Sequence, residues 1–470
     1  MQVYPMGLVV MLVWLGLALR HRDLGVALVG ALIPFGMLNV FRLGGFSFIA
    51  DDFCAAASFG LLAIFFLARR PTFVKIPISG IFLIFLAIYG GFASVFLIRL
   101  FAGSVDVFAF NRLYDGARVS TQFSGTVFPL SPGSANISQY AYLLLDIGFF
   151  FVAFAVGKSR GPGFLANGLR VGASINIFLG LVELAGGGSV LSVFKTAEYA
   201  LLDDHSVGGF SRLTGGFAEA SAYGAVSAAL GAFFLTHGLI AQNAKDICIG
   251  LGSLAMAMLA LSSSAIIGVA ATFLFLGIWA VPRATLRFSP RLLYTGVLLS
   301  LVVGMIASMG LMTALADPNS PLAEIADRLI FSKSESRSGL ERAAMARNGL
   351  DVFEATYGLG AGLGSVMANG RISAILASVG VPGMVLIVAF YVLCFVRPAR
   401  INSQDKLALR RASQCFCFVV VLIAIASSFS VSPGLSTMYV AAISLSACNA
   451  VQRLQLRTKP KSAIGQIHAI

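Results

Sequence analysis

The sequence predicts an all-α, polytopic integral membrane protein with about 12–13 transmembrane helices and long extracytoplasmic loops. Composition is the first reason: of 470 residues, 58% are hydrophobic and 11% are charged, whereas soluble domains average about 25% charged residues. The second reason is that apolar runs of about 20 residues, the length of a membrane-spanning helix, recur along the chain. The third is the charge of the connections between these runs.

The apolar runs define the predicted helices. They lie near residues 3–19, 24–40, 47–68, 76–100, 136–157, 164–186, 217–240, 247–262, 265–281, 292–314, 372–396, 414–430 and 433–451. Three connections are long, namely 101–135, 187–216 and 315–371. None of them resembles an independent domain, and the sequence shows no repeat period. Residues 1–470 are therefore predicted to form a single multispanning membrane domain with these three segments as extracytoplasmic loops.

Basic residues concentrate in every second connection. They are Arg20, Arg22, Arg69, Arg70, Lys75, Lys158, Arg160, Lys245, Arg283, Arg287, Arg291, Arg397, Arg400, Lys406, Arg410, Arg411, Arg453, Arg457, Lys459 and Lys461. Cytoplasmic connections carry such an excess of Lys and Arg. The N-terminus is therefore expected outside and the C-terminus in the cytoplasm. The net charge of +13 is a topology signal, and we expect no nucleic-acid partner.

Cysteine and histidine give no sign of a metal site. All six cysteines lie in or beside apolar runs, and the four histidines are scattered. The spacing therefore indicates neither a disulfide framework nor a His or Cys metal centre. We expect no metal and no other cofactor.

The third long loop places arginines on the side of the membrane where positive charge is scarce. Its basic residues are Arg328, Lys333, Arg337, Arg342, Arg347 and Arg371, and a glycine cluster runs from Gly358 to Gly364. These residues predict an anionic ligand, and a lipid-linked pyrophosphate is the candidate that we favour. The alternative is that the arginines pair with nearby acids on an exposed helix. Those acids are Glu335, Glu341, Asp351 and Glu354.

Residues 339–357 in this loop have the spacing of an amphipathic helix. Its apolar side chains are expected to lie against the membrane or the helix bundle. They are Leu340, Ala343, Ala344, Leu350 and Phe353.

A second candidate segment, 211–224, leads from the second long loop into an apolar run. It has Arg212 beside two glycines, the first of them Gly215, and then Glu219. Glycine lets backbone amides approach a phosphate closely, and arginine gives a phosphate two parallel hydrogen bonds. Two alternatives stay open: Arg212 forms a structural ion pair, and Glu219 is a helix cap or the partner of Arg212.

These two segments resemble the O-antigen polymerase and ligase superfamily of bacterial inner-membrane glycan enzymes. The family has an Arg–x–x–Gly–x–Phe element followed by Glu-Pro-Ser or Asn-Pro-Asn. This chain has Arg212-Leu-Thr-Gly215-Gly-Phe217-Ala-Glu219-Ala220-Ser221, with Ala220 in place of the proline. The family also has an arginine before a Gly-x-Gly-x-Gly-like turn, then a helix that contains Gly-(Leu/Val)-(Pro/Ile)-Gly. Here these are Arg342, Gly360-Ala-Gly362-Leu-Gly364 and Gly380-Val-Pro-Gly383, and Arg347 stands at a further position that is often basic.

The chain departs from the family pattern in two further places. Asn369 stands where ligases of the family have a histidine, two residues before Arg371. The Ser-Arg pair that often follows a later hairpin is missing, because Ser264 is followed by Ala265. With Glu219 and its serine kept, the sequence resembles the exopolysaccharide-polymerase branch more than the ligases.

The resemblance implies a metal-independent glycosyltransferase in the bacterial inner membrane. It would be a polymerase that moves a glycan from polyprenyl pyrophosphate to a lipid-linked repeat unit on the periplasmic face. The implied catalytic residues are Glu219, Arg212 and Arg342, and the implied substrate-binding residues are Arg337, Arg347, Gly215, Gly360, Gly362, Asn369 and Arg371. Asp203, Asp204 and His205 are second candidates for the base. Implied partners are the lipid-linked oligosaccharide, the bilayer, a flippase and a chain-length regulator.

Three other functions compete with this one. A ligase would transfer the glycan to a lipid or protein acceptor. A flippase or transporter would show an inverted repeat, broken helices and ionisable residues near the membrane midplane, and the sequence shows no repeat. A structural partner of an envelope complex would use its arginines only to bind anionic headgroups.

Five charged residues inside apolar runs are functional candidates by default, since they are costly in hydrocarbon. They are Asp51, Asp52, Asp146, Arg170 and Glu183. Arg170 and Glu183 share one run but lie too far apart to form an i,i+4 pair. We expect each of them to pair with another helix.

Overall fold

The computed structural model describes residues 2–43, 46–68, 75–110, 112–114, 117–119, 127–197, 206–207, 210–280, 337–398, 401 and 403–448. Several predictions fall outside these residues: the helix near 292–314, loop residues 315–336 and the base candidates Asp203, Asp204 and His205.

The described residues form a helical bundle with a few short strands. The helices are α1 Pro5–Arg20, α2 Arg22–Leu32, α3 Ala50–Ala68, α4 Ile78–Leu100, α5 Ser134–Arg160, α6 Pro162–Leu184, α7 Gly188–Leu191, α8 Ala220–Ala241, α9 Ala244–Leu259, α10 Ser263–Ala280, α11 Arg337–Ala355, α12 Arg371–Val396, α13 Gln404–Ser427 and α14 Leu435–Ala447. The strands are β1 Gln2–Val3, β2 Asn39–Leu43, β3 Phe46–Ile49, β4 Asp106–Val107, β5 Arg112–Tyr114, β6 Ala117–Val119, β7 Phe128–Pro129, β8 Ser206–Val207 and β9 Phe210–Ser211.

Within the described ranges, six helices are long and apolar enough to cross a bilayer: α4, α5, α6, α8, α12 and α13. Helices α1, α10 and α14 are apolar but shorter. The chain is thus mostly helical and has helices suited to a membrane, as the composition predicts. The higher count of about 12–13 transmembrane helices stays a prediction.

The predicted helix near 24–40 is wrong in its second half. Helix α2 ends at Leu32, because Pro34 has no N–H to continue the helical hydrogen bonds. The chain then enters β2, which pairs antiparallel with β1 on one side and β3 on the other. Strand β3 occupies the start of the predicted run 47–68, so the fold is mostly rather than purely α-helical.

Helix α8 lies at the centre of the bundle and packs against α9, α10 and α13. It is buried along most of its length, with Phe233 and Phe234 fully enclosed. A Cβ atom added at Gly250 of α9 would lie 2.4 Å from the backbone nitrogen of Leu235. The glycine therefore sets how closely α8 and α9 approach.

Arg170 pairs with a neighbouring helix, as predicted. Its Nε lies 2.6 Å from Oδ1 of Asp246 at the start of α9, and His237 Nδ1 lies 2.7 Å from the other carboxylate oxygen. Burial raises the pKa of Asp246, but the hydrogen bonds from His237 and Arg170 outweigh it and bring the pKa to about 2. We call Arg170, His237 and Asp246 the α6–α9 clamp.

Candidate functional site

The segment before α8 forms a tight turn that requires its glycines. Gly215 has φ of 52°, and a Cβ atom there would lie 2.4 Å from the ring of Tyr223. At Gly216 a Cβ atom would lie 2.2 Å from the carbonyl oxygen of Pro34. The structure therefore explains both glycines by backbone conformation and close packing.

The backbone amide of Gly215, which the sequence predicts to bind a phosphate, instead donates a hydrogen bond to Glu183 of the protein itself. Glu183 Oε2 accepts hydrogen bonds from the N–H groups of Thr214, at 2.8 Å, and Gly215, at 2.7 Å. Its other oxygen accepts from Thr214 Oγ1 at 2.8 Å and lies 3.6 Å from Lys195 Nζ. Glu183 therefore pairs with a loop rather than a helix, and substrate binding by Gly215 stays a prediction.

Arg212 and Glu219 stand on either side of this turn. Arg212 is half-buried. Glu219 is the N-cap residue of α8, and among the described residues its carboxylate makes no capping hydrogen bond to the first turn. The carboxylate instead accepts from Ser221 Oγ at 2.7 Å, while Ser264 Oγ donates to the carbonyl oxygen of Ser221 at 2.8 Å. The capping interpretation thus holds for the backbone position of Glu219, not for its side chain.

The glycine cluster packs against a break in α12. Gly380 has φ of 59° and ψ of −160°, which interrupts the helix just before Pro382. The amide of Gly362 donates to the carbonyl oxygen of Ser378 at 2.8 Å, and the amide of Gly360 donates to Thr356 Oγ1 at 3.1 Å. Both glycines are buried. Their amides are used inside the protein, so substrate contact by Gly360 and Gly362 stays a prediction.

The break folds α12 back on itself. Arg371 Nη1 donates to the hydroxyl oxygen of Tyr391 at 2.8 Å. In a straight helix these residues would lie about 30 Å apart at 1.5 Å per residue, too far for two side chains to bridge. The predicted span 372–396 thus corresponds to α12, but α12 is not straight: its bend at Gly380 brings Arg371 and Tyr391 into contact.

Arg371 is the charged residue of a largely apolar cavity of about 200 Å³. It is only 8% exposed, and its Nη2 donates to the carbonyl oxygen of Ser432 at 3.0 Å. Its Nε has no hydrogen-bond partner among the described residues. The other lining residues are Ile33, Ala225, Val226, Ala229, Leu230, Phe416, Val420, Ile423, Ala424, Ser427, Ser428 and Ser436.

Of the predicted site residues that the structure describes, only Arg371 lines the cavity, and the segment 211–224 ends just before the part of α8 that does. Its walls come from α8, α13 and the beginnings of α12 and α14. Glu219 precedes α8 and lies six residues before Ala225, about 9 Å along the helix. Asn369 lies beside the same region, where its Nδ2 donates to the carbonyl oxygen of Ala426 at 3.4 Å. Asn369 Oδ1 is buried and has no hydrogen-bond partner within the described ranges.

The other predicted arginines of the third loop lie on α11, and they differ in exposure. Arg342 is half-buried, and it lies seven residues from buried Gly349, hence on the same face of the helix. Arg347 is exposed, and the side chain of Arg337 lies outside the described residues. The structure thus distinguishes Arg342 from Arg347 but does not bring either to the lining of the cavity.

The bundle-facing side of α11 differs from the predicted one. Met345, Gly349 and Val352 are buried, whereas Leu340 and Leu350 are exposed. The prediction that Leu340 and Leu350 contact the helix bundle is therefore wrong. Their contact with a bilayer stays a prediction.

Several residues of the site were not predicted from the sequence. Asn348 connects α11 to β4: its Nδ2 donates to the carbonyl oxygen of Asp106 at 2.8 Å, and its Oδ1 accepts from the amide of the next residue after β4, Phe108, at 3.1 Å. Tyr391 and Ser432 hold Arg371, and Ser432 Oγ in turn donates to Asp146. The serine-rich stretch between α13 and α14 was a usable signal for Ser432. Tyr391 gave none, because it reaches Arg371 only through the fold-back of α12.

Comparisons with protein-family models and with curated proteins give no match for this chain. The resemblance to the O-antigen polymerase and ligase superfamily therefore rests on the two motifs alone. The function must be argued from the site itself.

Proposed function

We propose that the chain is a polysaccharide polymerase of the inner membrane of a bacterium. It would transfer a glycan from polyprenyl pyrophosphate to a lipid-linked repeat unit on the periplasmic face. The observation that carries this proposal is the buried guanidinium of Arg371 in a largely apolar cavity, one wall of which is the helix that begins after Glu219.

The surroundings of Arg371 suit a ligand that is both anionic and apolar. Its hydrogen-bond partners in the described structure, Tyr391 and the carbonyl group of Ser432, are neutral. The carboxylate of Asp146 accepts from Ser432 Oγ and interacts electrostatically with Arg371. The donor open to an anion is Arg371 Nε, which has no hydrogen-bond partner among the described residues. In a water-poor cavity the stabilising effect of a guanidinium on such an anion is large.

The proposed reaction assigns a role to each group. The acceptor hydroxyl oxygen attacks the anomeric carbon of the donor, and the bond from that carbon to the pyrophosphate oxygen breaks. Glu219 takes the hydroxyl proton. Arg371, with Arg212 and Arg342 at the outer rim, stabilises the anionic polyprenyl pyrophosphate that leaves. The apolar walls from α8 and α13 would accommodate the first part of the isoprenoid chain.

Asn369 supports the polymerase over the ligase. A ligase of the resembled family has a histidine at this position, whereas an asparagine amide cannot accept a proton from an acceptor hydroxyl. Glu219 with its partner Ser221 supplies a carboxylate near the cavity instead.

A transporter is the second candidate, and the broken helix α12 favours it. Transporters hold their substrates where helices are discontinuous, and Gly380 interrupts α12 between Arg371 and Tyr391. The membrane partners of a polymerase, a flippase that delivers repeat units and a chain-length regulator, belong to the proposal and follow from the resemblance.

A deletion strain complemented with variants separates these functions. The variants are Arg371→Ala and Glu219→Ala, with Lys245→Ala as the control, because Lys245 is an exposed cation in the first turn of α9, beyond the far end of α8. A polymerase predicts single repeat units at the cell surface without long polymer. Normal-length polymer that accumulates on the carrier lipid would indicate a ligase. Repeat units trapped on the cytoplasmic side would indicate a transporter and overturn the proposal.

A further inference from the structure

Glu183 occupies an unusual position for a carboxylate. It lies in the last turn of α6, where the partial negative charge of the helix end disfavours an anion. It also lies at the end of an apolar segment, and its side chain is largely buried. A carboxylate in such a place requires strong hydrogen-bond donors.

The hydrogen-bond donors to Glu183 come from the loop between α7 and α8. Thr214 provides its N–H and its hydroxyl group, and Gly215 provides its N–H. Lys195 completes the group, since its Nζ lies 2.5 Å from Thr214 Oγ1 and 3.6 Å from the carboxylate. We call Glu183, Lys195, Thr214 and Gly215 the rim anchor.

The rim anchor fixes the loop that carries two proposed functional residues. Arg212 precedes Thr214 by two residues, and Glu219 follows Gly215 by four. The loop has other contacts as well: the amide of Met37 donates to the carbonyl oxygen of Gly216 at 3.1 Å, and the amide of Leu213 is 3.4 Å from the carbonyl oxygen of Leu259. Glu183 is thus a charged fixed point between α6 and this loop.

We propose that Glu183 is a positioning residue. It holds the turn at Thr214 and Gly215 and so fixes Arg212 and Glu219 just before α8, whose 225–230 part lines the Arg371 cavity, and it does not touch the substrate. This inference rests on the proposed polymerase function for its catalytic consequence. The structural part, which is the ordering of the loop by Glu183, is independent of that function.

A cysteine placed in the loop tests the ordering directly. Ala218 is half-buried next to Glu219, and an Ala218→Cys variant reports whether the loop is held in place. Cys248 is exposed and is replaced by serine, while Cys54 is buried and serves as an internal control for global unfolding. The full-length protein in membrane vesicles is treated with a maleimide, and labelling at each cysteine is read by mass spectrometry.

We expect Glu183→Ala to raise the labelling rate of the reporter cysteine several-fold without labelling Cys54. Glu183→Gln retains an acceptor oxygen for the two amides, so it should raise the rate less and keep part of the polymer synthesis that Glu183→Ala loses. Val190→Ala, an exposed change in nearby α7, should alter neither quantity.

Three results would overturn the positioning role. Unchanged reporter labelling in Glu183→Ala together with lost polymer would mean that Glu183 acts on the substrate. If Glu183→Ala raised the labelling of Cys54 as much as that of the reporter cysteine, Glu183 would only stabilise the whole fold. Faster reporter labelling when inorganic pyrophosphate is added to the chain with Glu183 intact would mean that the amides are a ligand site. Faster labelling in Glu183→Ala with normal polymer would instead overturn the polymerase mechanism and leave the anchor in place.

Discussion

At the scale of single residues, Arg371 combines a charge with a fork of donors in an apolar cavity. Two of its nitrogens bond to neutral oxygens of Tyr391 and Ser432 in different parts of the chain. A guanidinium is more weakly hydrated than an ammonium group and presents donors in several fixed directions. Both properties suit the proposed role, in which the side chain is buried and binds an anionic ligand.

Arg371→Ala should slow polymer synthesis by about 30- to 150-fold. Loss of a charge-assisted contact in a dry site costs about 2–3 kcal/mol, and about 1.4 kcal/mol corresponds to tenfold in rate. Arg371→Lys should fall between, because it keeps the charge but not the fork. Initial rates are measured on the purified protein in lipid nanodiscs with lipid-linked repeat units. A wild-type rate for the alanine variant would remove Arg371 from the site.

Glu219→Gln should lower kcat by about 100-fold or more and leave KM almost unchanged. A positioned general base contributes about 10²–10⁴-fold, and the glutamine amide oxygen can still accept from Ser221 Oγ. Ser221→Ala is the matched control, since it removes that hydrogen bond but keeps the carboxylate. An unchanged kcat for Glu219→Gln would show that another group accepts the proton.

At the scale of elements, the fold-back of α12 depends on the glycine loop. The amide of Val381 donates to the carbonyl oxygen of Gly358 at 2.9 Å, and the amide of Ala361 donates to that of Ala377 at 2.8 Å. The loop therefore replaces hydrogen bonds that the helix loses at its break. The site follows from this arrangement, since it places Arg371 beside Tyr391.

Gly380→Ala should destabilise the protein by more than about 2 kcal/mol. A Cβ atom there would lie 2.1 Å from the carbonyl oxygen of Gly358, and alanine is strained at the positive φ of this position. Thermal unfolding in detergent should show a lower Tm. Gly16→Ala in α1 is the control, because a Cβ atom there meets no atom within 4 Å. Equal melting of both variants would argue against the fold-back.

Asp246→Asn should lower the free energy of unfolding by about 2–3 kcal/mol. It leaves Arg170 without a counter-ion in the α6–α9 clamp, and breaking a buried pair from one side is costly. Arg170→Gln should cost less, because Asp246 keeps His237 as a partner at 2.7 Å. The Tm values of the two variants decide between them, and a larger loss for Arg170→Gln would contradict this account.

Hydropathy located most helices of the described chain but not their breaks. The run near 217–240 became α8 at Ala220–Ala241, because a long apolar segment buries most of its length as one helix. The run near 372–396 is even more apolar, yet it bends at Gly380. Hydropathy does not predict such a bend, since the bend is stabilised by contacts with residues about 20 positions earlier. The burial of Arg371 was hidden from the sequence for the same reason.

At the scale of the whole molecule, the Arg371 cavity and the α6–α9 clamp lie toward opposite ends of α8. The Arg371 cavity and Glu219 lie toward its beginning, and the α6–α9 clamp lies toward its end at His237. The charge pattern of the connections predicts that the beginning faces outward and the end faces the cytoplasm.

Cysteine labelling checks this orientation. Cys248 lies near the start of α9 and is exposed. An impermeant maleimide should therefore label it in inverted membrane vesicles and not in intact cells with a permeabilised outer membrane. Cys248→Ser gives the background. Labelling from the outside would reverse the topology and place the proposed site on the cytoplasmic face.

The fold-back also has a consequence for biosynthesis. The segment before Gly380 is about nine residues long and cannot cross a bilayer alone, and the groups that enclose Arg371 include Ser432 and α14, which leave the ribosome later. The cavity must therefore form after the last helices have been inserted. A chain that stops before Ser432 would contain every proposed functional residue and still lack the enclosed site.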